Sequence, residues 1–254
     1  MTFSRPRLIA RLDVKGAAVV KGIQLDGLRV VGSVEEKAKS YFEQGADEIL
    51  IMDAVATLYR NQGAIEAIRL AAESTFVPIT VGGGIRSLED AKSMFQLGVD
   101  RVAVNSSALA DPQILRQLSD TFGEQAVVLS IEAKKVSHGN WSCFYESGRE
   151  DSGKSVVNWM QEAAELGVGE ILLTSVDRDG LMKGADLELI SEVVSGAPTG
   201  VVYSGGLIDP KQILELLSIP NLCGVAIASA FHYERLRISD LKASFKANWE
   251  SKEG

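Results

Sequence analysis

The feature that most constrains this sequence is an internal repeat with a spacing of about 122 residues. A short strand-like run leads into a glycine loop at Gly83, and a second run leads into a similar loop at Gly205, 122 residues later. The segment GADEIL at 45–50 recurs as GVGEIL at 167–172 with the same shift. Because this period is too long for a solenoid repeat, it predicts two homologous halves rather than a stacked array.

Strand-like and helix-like patterns alternate eight times along the chain, which is typical of a parallel sheet covered by helices. The length of 254 residues matches the ~250 residues of an eight-fold β/α barrel. We therefore predict one domain over residues 1–254, an α/β protein with the (β/α)8 TIM barrel fold, built from half-barrels at about 1–122 and 123–254. Two stretches interrupt the alternation. Ala17–Lys21 is predicted as a short extra strand followed by a long loop at Gly22–Gly32, and Lys134–Asp151 is predicted as a β-hairpin.

Composition excludes several classes of function. The net charge of −8 argues against a nucleic-acid partner. No signal peptide or apolar run of about 18 residues is recognisable, so neither secretion nor a membrane is expected. Cys143 and Cys223 form no metal or disulfide motif, which favours a cytoplasmic protein. His138 and His232 are isolated, and the sequence gives no sign of a metal, flavin or nicotinamide cofactor.

Acidic residues end two strands that lie half a barrel apart. In this fold the active site is at the C-terminal ends of the strands, where Asp13 ends the first strand and Glu132 ends the fifth. Opposed carboxyl groups in a partly enclosed site can hold different pKa values and divide acid and base roles. We predict that these two residues are catalytic. The alternative is that each acid pairs with a nearby lysine, namely Lys15, Lys21 or Lys134.

Both glycine loops, together with the polar loops after the following strands, are suited to binding phosphate, because their backbone N–H groups are free to point at an anion. The first set is Gly83, Gly84, Asn105 and Ser106, and the second is Gly205, Gly206, Ala228 and Ser229. The two sets are predicted to lie on opposite sides of the barrel, which favours a long substrate with a phosphate at each end. The alternative is a pair of ordinary strand-to-helix turns.

Several motifs carry a family resemblance that covers essentially the whole chain. They are LDVK at 12–15, VKG at 20–22, TVGGGI at 80–85, FGEQAVV at 122–128, EILLTSVDRDG at 170–180 and SGG at 204–206. Together they resemble the cyclase subunits of imidazole glycerol phosphate synthase, the HisF family of histidine biosynthesis. The sister isomerase of the same pathway shares the half-barrel design, but the VDRDG motif favours the cyclase type.

The resemblance implies a mechanism and a partner. A HisF-like chain forms a heterodimer with a glutaminase subunit (HisH-like), which supplies ammonia. The ammonia condenses with a bis-phosphorylated aminoimidazole carboxamide ribonucleotide and gives imidazole glycerol phosphate, with Asp13 as a general acid/base. By the same resemblance Asp179 and Gly180 join the second phosphate site. A charged ring gates ammonia at the N-terminal end of the barrel, where the matching residues are Arg7, Glu48, Arg101 and Glu170. The alternative for the ring is that these charges only cap the bottom of the barrel.

The sequence departs from the family pattern at the second catalytic position, where Glu132 replaces aspartate. The extra methylene moves the carboxylate by roughly a bond length, and a misplacement near 1 Å can cost on the order of 10²-fold in rate. Arg101 stands where lysine is usual, and the segments 27–31, 54–62 and 206–208 are also atypical. The segment SIEAK at 130–134, which contains Glu132, resembles HisF-like paralogues that deliver ammonia to a sugar amidotransferase, which makes acetamidino groups on surface polysaccharide sugars. A non-catalytic scaffold that only activates a glutaminase is a further alternative.

Overall fold

Eight parallel strands close into a barrel in the computed structural model, which describes residues 6–55 and 62–253. The barrel strands are β1 (Arg7–Lys15), β4 (Glu48–Asp53), β5 (Ile79–Gly82), β6 (Arg101–Val104), β7 (Val127–Ser137), β10 (Glu170–Ser175), β11 (Gly200–Ser204) and β12 (Leu222–Ile227). The strands outside the barrel are β2 (Ala18–Ile23), β3 (Asp26–Ser33), β8 (Asn140–Tyr145) and β9 (Glu150–Ser155).

Helices follow the barrel strands in the described part of the chain. They are α1 (Val34–Glu43), α2 (Gln62–Ser74), α3 (Leu88–Gln96), α4 (Ser106–Ala110), α5 (Gln113–Phe122), α6 (Val156–Glu165), α7 (Leu187–Val193), α8 (Pro210–Leu216), α9 (Ser229–His232) and α10 (Ile238–Glu253). Local sequence explains the starts of several. Ser87 Oγ accepts a hydrogen bond from the N–H of Asp90 at 3.1 Å and caps α3, as the serine-to-acid spacing predicts.

The pairing of the strands closes the sheet on itself. β1 pairs in parallel with both β12 and β4, and β7 pairs with β10, so that no barrel strand is left as an edge. Side chains alternate between the two faces of each strand. Leu8 and Leu12 of β1 pack outward under the helices, whereas Ile9 faces the lumen of the barrel. The predicted (β/α)8 fold is confirmed.

The prediction of a long loop at Gly22–Gly32 is wrong, because most of this segment forms β3. β2 and β3 pair antiparallel, with Val20 opposite Val30, and the turn between them places Gln24 and Leu25 at positive φ (51° and 63°). Such turns usually carry Asn-Gly or Asp-Gly at these two positions. Most of β3 is exposed or half-buried, so it lacks the apolar alternation that would have identified it as a strand.

The predicted hairpin at Lys134–Asp151 is present. β7 continues beyond the barrel and pairs antiparallel with β8, which in turn pairs with β9. The sequence suggested plain loops after strands four and eight, but α4 and α9 begin there at Ser106 and Ser229. Of the atypical segment 54–62, residues 56–61 lie outside the described part of the chain.

Candidate active site

Asp13 lies near the C-terminal end of the barrel in a buried network of alternating charges. Its Oδ1 accepts a hydrogen bond from Arg11 Nε at 2.8 Å, and its Oδ2 accepts one from Lys21 Nζ at 2.8 Å. Lys21 comes from β2 and also donates to both carboxylate oxygens of Asp179, at 3.0 and 2.8 Å. Burial opposes ionisation of Asp13, but the adjacent charges of Arg11 and Lys21 outweigh it and hold the pKa below its usual range. Asp13 is therefore a carboxylate at neutral pH.

Glu132 lies on β7, half a barrel away from Asp13, in a different environment. It accepts a hydrogen bond from the backbone N–H of Gly148 at 2.7 Å. Burial raises its pKa to about 7, although the Gly148 N–H and the charge of Arg11 act in the opposite direction. Pairing of the acid with a nearby lysine, which was the alternative to catalysis, therefore occurs at Asp13 through Lys21. Glu132 instead accepts a hydrogen bond from the backbone. Two carboxyl groups with separated pKa values can divide acid and base work.

The first glycine loop is held in a backbone conformation that favours glycine. Gly83 and Gly84 have φ of 94° and 78°. A Cβ on Gly83 would lie 2.5 Å from the carbonyl oxygen of Asp53, so no larger residue fits there. The loop opens into a cavity of about 360 Å³, which Asn105 at the start of α4 also lines.

This cavity brings together the first predicted phosphate set and one of the two predicted catalytic acids. Its lining includes Gly83, Gly84, Asn105, Ser106, Ser130 and Glu132. Asp13 is not among the lining residues, because Lys21 and Arg11 cover its oxygens. The Oδ1 of Asn105 is buried without a hydrogen-bond partner, which leaves a free acceptor beside Glu132. The cavity therefore offers backbone donors at one end and a titratable carboxyl at the other.

The second glycine loop repeats the geometry of the first. Gly205 and Gly206 have φ of 124° and 75°, and a Cβ on Gly205 would lie 2.8 Å from the carbonyl oxygen of Ser175. Ser175 is 122 residues after Asp53, which makes the equivalent contact at the first loop. A small cleft is lined by the second predicted set, namely Asp179, Gly180, Gly205, Gly206, Ala228 and Ser229. β5 and β6 lie opposite β11 and β12 in the barrel order, so the two sets face each other across the mouth.

The tips of the two hairpins meet over this mouth. The turn after β2 contacts the second set, because Gln24 N–H donates to the carbonyl oxygen of Asp179 at 2.9 Å. The turn after β8 contacts Glu132 through Gly148. An ion pair between Asp26 and Arg149, 3.2 Å apart, joins the two tips. These contacts enclose the region between the two sets of backbone donors.

Four charges form a closed ring at the N-terminal end of the barrel. Arg7 Nη1 lies 2.8 Å from Glu48 Oε2, and Arg101 Nη1 lies 2.8 Å from Glu170 Oε1. Arg7 also pairs with Glu170, and Arg101 with Glu48, so that positive and negative side chains alternate. The four residues predicted for a gate are therefore together, and Glu48 is additionally held by Thr80 Oγ1 at 2.6 Å.

An apolar layer separates this ring from the mouth. Its members line the lumen at the middle of the barrel strands and are Ile9, Leu50, Ala103, Val128, Leu172, Val202 and Ala226. Above the layer lies Arg11, which sequence reasoning missed because it was taken for one more residue of an apolar strand. The available signal was the charge itself, since arginine is almost never fully buried unless it is paired.

Within residues 6–55 and 62–253, no three His, Cys, Asp or Glu side chains are grouped so that they could bind a metal ion. None of the helices described there has the length and apolar character needed to cross a membrane.

Comparison with known proteins assigns the chain to a family. The family model described as histidine biosynthesis protein matches residues 7–237. The imidazole glycerol phosphate synthase subunit HisF of Streptococcus sanguinis (strain SK36) is 44% identical over 243 residues, which cover 96% of each chain. The subunit of the same name from Legionella pneumophila is 48% identical over 204 residues, covering 80% of this chain and 96% of the relative. The HisF subunit of Bacillus cereus (strain Q1) is 38% identical over 240 residues, covering 94% of this chain and 95% of the relative. The chain therefore belongs to the histidine biosynthesis protein family.

Proposed function

We propose that this chain is the cyclase subunit of an imidazole glycerol phosphate synthase in histidine biosynthesis. It uses ammonia to convert a bis-phosphorylated aminoimidazole carboxamide ribonucleotide to imidazole glycerol phosphate. The relatives that match nearly the whole chain carry this subunit name, which implies a complex with a partner subunit. We propose a HisH-like glutaminase as that partner and the cytoplasm as the site of the reaction.

The observation that carries the proposal is the arrangement of the mouth. Two sets of backbone donors, at Gly83 and Gly205, face each other across the barrel, and Asp13 and Glu132 lie between them. Each set is suited to one phosphate because the N–H groups of a glycine loop can converge on an anion. A substrate with a phosphate at each end would then hold its central reacting atoms over the two acids, which is the positioning that lowers the barrier of a two-substrate reaction.

The two acids suit different tasks in this reaction. The incoming ammonia nitrogen must lose a proton as it bonds to carbon, and the departing nitrogen must gain one. Glu132, with a pKa of about 7, is poised to take up or release a proton near neutral pH. Asp13 stays ionised between Arg11 and Lys21, which cover its oxygens, so it would act on positive charge at the reacting nitrogen through its field rather than by direct contact.

We also propose that ammonia enters at the opposite end of the barrel. The ring of Arg7, Glu48, Arg101 and Glu170 would admit it from the glutaminase, which docks on the N-terminal face. Support comes from the ring's position on the barrel axis at that face and from its closure by four ion pairs.

The test is an assay of the purified chain with ammonium salt at alkaline pH and the bis-phosphorylated ribonucleotide, following the loss of substrate absorbance. We expect turnover in the wild type and its loss in Asp13→Asn. Asp120→Asn, the same change at an exposed position on α5, is the matched control and should remain active. Near-UV circular dichroism checks that each variant is folded. A folded wild type without turnover, or an Asp13→Asn variant with full turnover, would contradict the proposal.

One observation favours a second candidate function. Glu132 replaces the aspartate that the cyclase pattern has, and its carboxylate, on a side chain one methylene longer, accepts a hydrogen bond from the Gly148 N–H. In an ammonia-delivering paralogue of sugar acetamidino modification, the barrel would conduct ammonia to another acceptor. If the wild type binds the bis-phosphate but does not turn it over, and Glu132→Asp restores turnover, this second function is preferred. If the chain were a scaffold without any reaction of its own, the Asp13→Asn variant would still activate the glutaminase fully.

A further inference from the structure

Arg11 occupies an unusual place for a charged side chain. It lies on β1 two residues after Ile9 of the apolar layer and two before Asp13, and only 4% of its surface is exposed. Strand periodicity turns all three side chains into the lumen. Burial of an unpaired guanidinium is very costly, so the position of Arg11 requires fixed partners.

The contacts of Arg11 reach from one side of the lumen towards the other. Its Nε donates to Asp13 on the same strand, while Nη1 donates to Thr174 Oγ1 at 2.9 Å and to Ser204 Oγ at 3.2 Å. Thr174 on β10 is the registered neighbour of Glu132 on β7. The planar guanidinium therefore joins Asp13 to the strand that pairs with the strand carrying Glu132. This is a geometry that lysine cannot reproduce with a single nitrogen.

The charges around Arg11 balance. Arg11, Asp13, Lys21 and Asp179 form one chain of hydrogen-bonded ion pairs with two positive and two negative members. Glu132 stands outside this chain of ion pairs and accepts a hydrogen bond from the uncharged backbone N–H of Gly148.

We propose that Arg11 is a positioning residue that holds Asp13 in one orientation as a carboxylate and leaves Glu132 as the residue that moves protons. The effect of Arg11 on the reaction rate rests on the proposed function, whereas the effect of Arg11 on the two carboxyl groups does not.

Other titratable groups also act on the two acids. Asp13 interacts electrostatically with Lys21 of β2 and with His232 of α9. Glu132 interacts in the same way with Glu146 of the β8–β9 turn. Burial lowers the pKa of His232 to about 4, so this imidazole is neutral while Glu132 titrates but becomes charged in the acidic range where Asp13 titrates. Comparison of the wild type with Arg11→Met holds this contribution constant. Lys21 donates to Asp13 and Asp179, and we expect it to keep these contacts when Arg11 is changed. The contribution of Arg11 is therefore separable from that of its neighbours.

The experiment follows the carboxyl carbons of Asp13 and Glu132 by 13C NMR during a pH titration, with Asp13→Asn and Glu132→Gln used to assign the signals. In Arg11→Met both apparent pKa values should rise, that of Asp13 by about one unit or more, because a neighbouring positive charge is removed. Arg69→Met, which removes a half-buried arginine on α2, far from the two acids in the chain, is the matched control and should leave both titrations unchanged.

Arg11→Lys distinguishes the charge from the geometry. This variant should keep most of the lowering of the Asp13 pKa, because the positive charge is retained. It should lower kcat about tenfold or more with little change in KM, since the orientation of Asp13 is lost while substrate binding is not. An unchanged Asp13 titration in folded Arg11→Met would overturn the proposal, because Lys21 alone would then suffice.

If Arg11→Met does not fold, the titration of that variant is replaced by a measurement of the 15Nε NMR signal of Arg11 in the wild type. Arg11→Lys, which lacks this nitrogen, assigns the signal. A signal that exchanges slowly with solvent and moves in Asp13→Asn supports the proposal. A signal unaffected by Asp13→Asn overturns it. Neither readout needs a substrate, so failure of the cyclase assay and failure of this inference are distinguishable.

Discussion

Glu132→Gln should make the stability of the protein less dependent on pH. The folded state holds the Glu132 proton with a pKa of about 7, whereas the ordinary value is 4.5. The folded chain therefore binds this proton more tightly than the unfolded chain does. The resulting contribution to stability is fully present below about pH 4.5 and is lost as the pH rises through 7.

The magnitude follows from the size of the shift. Each pKa unit corresponds to about 1.4 kcal/mol, so the wild type should lose on the order of 3 kcal/mol of this contribution between pH 4.5 and pH 8. Glutamine cannot ionise and escapes this loss. Its amide oxygen can still accept from Gly148 N–H, and its NH2 group can donate to the unpartnered Oδ1 of Asn105. The variant should therefore be the more stable protein at pH 8.

Chemical denaturation of wild type and Glu132→Gln at pH 5 and pH 8 measures this difference. Glu192→Gln, the same change at an exposed position on α7, is the control for effects of net charge. A variant that gains no stability relative to the wild type between pH 5 and pH 8 would refute the reasoning, since Glu132 would then be ionised at no cost in the folded state.

The remaining predictions concern a glycine loop and the charged ring. Gly205→Ala places a Cβ against the carbonyl oxygen of Ser175 at positive φ, and should cost roughly 1–3 kcal/mol of stability and weaken binding of inorganic phosphate in calorimetry. Gly196→Ala, where an added Cβ meets open space, should change neither. Arg101→Met removes one of the two cations that pair with Glu48, and burial already raises the pKa of this carboxyl group. Chemical denaturation should therefore show that the free energy of unfolding falls by roughly 3 kcal/mol at pH 8 and by less at pH 5. Equal losses at both pH values would mean that Glu48 is not the group responsible.

Much of the fold was predictable because local patterns and the barrel agree. Buried parallel strands such as Glu48–Asp53 are short apolar runs, and helices such as Val34–Glu43 bury one face at regular spacing, so both have strong sequence signals. β3 had no such signal, since its stability comes from pairing with β2 rather than from burial. Its turn at Gln24 also lacks the residues that usually mark a hairpin.

The candidate site was predictable where it depends on strand order alone. Asp13 and Glu132 were expected to oppose each other, and the barrel places β1 opposite β7. Their environments were not predictable, because the partners come from distant parts of the chain. The Gly148 N–H reaches Glu132 from a hairpin turn. Arg11 donates to nearby Asp13 but is also held by Thr174 and Ser204, which lie 163 and 193 positions away. The catalytic and binding roles assigned to these residues stay predictions until the experiments above are done.

The apolar layer in the middle of the lumen has a consequence for what can cross the barrel. It lies between the charged ring, which includes Arg7, and the ion-paired network around Asp13. An ammonium ion entering this layer would lose its hydration without gaining a counter-ion, at a cost of several kcal/mol, whereas neutral ammonia loses far less. If ammonia crosses the barrel as proposed, the layer would therefore select for protonation state rather than for size. A nitrogen crossing it in this way would arrive with its lone pair free, and protons would be supplied or removed only on the far side.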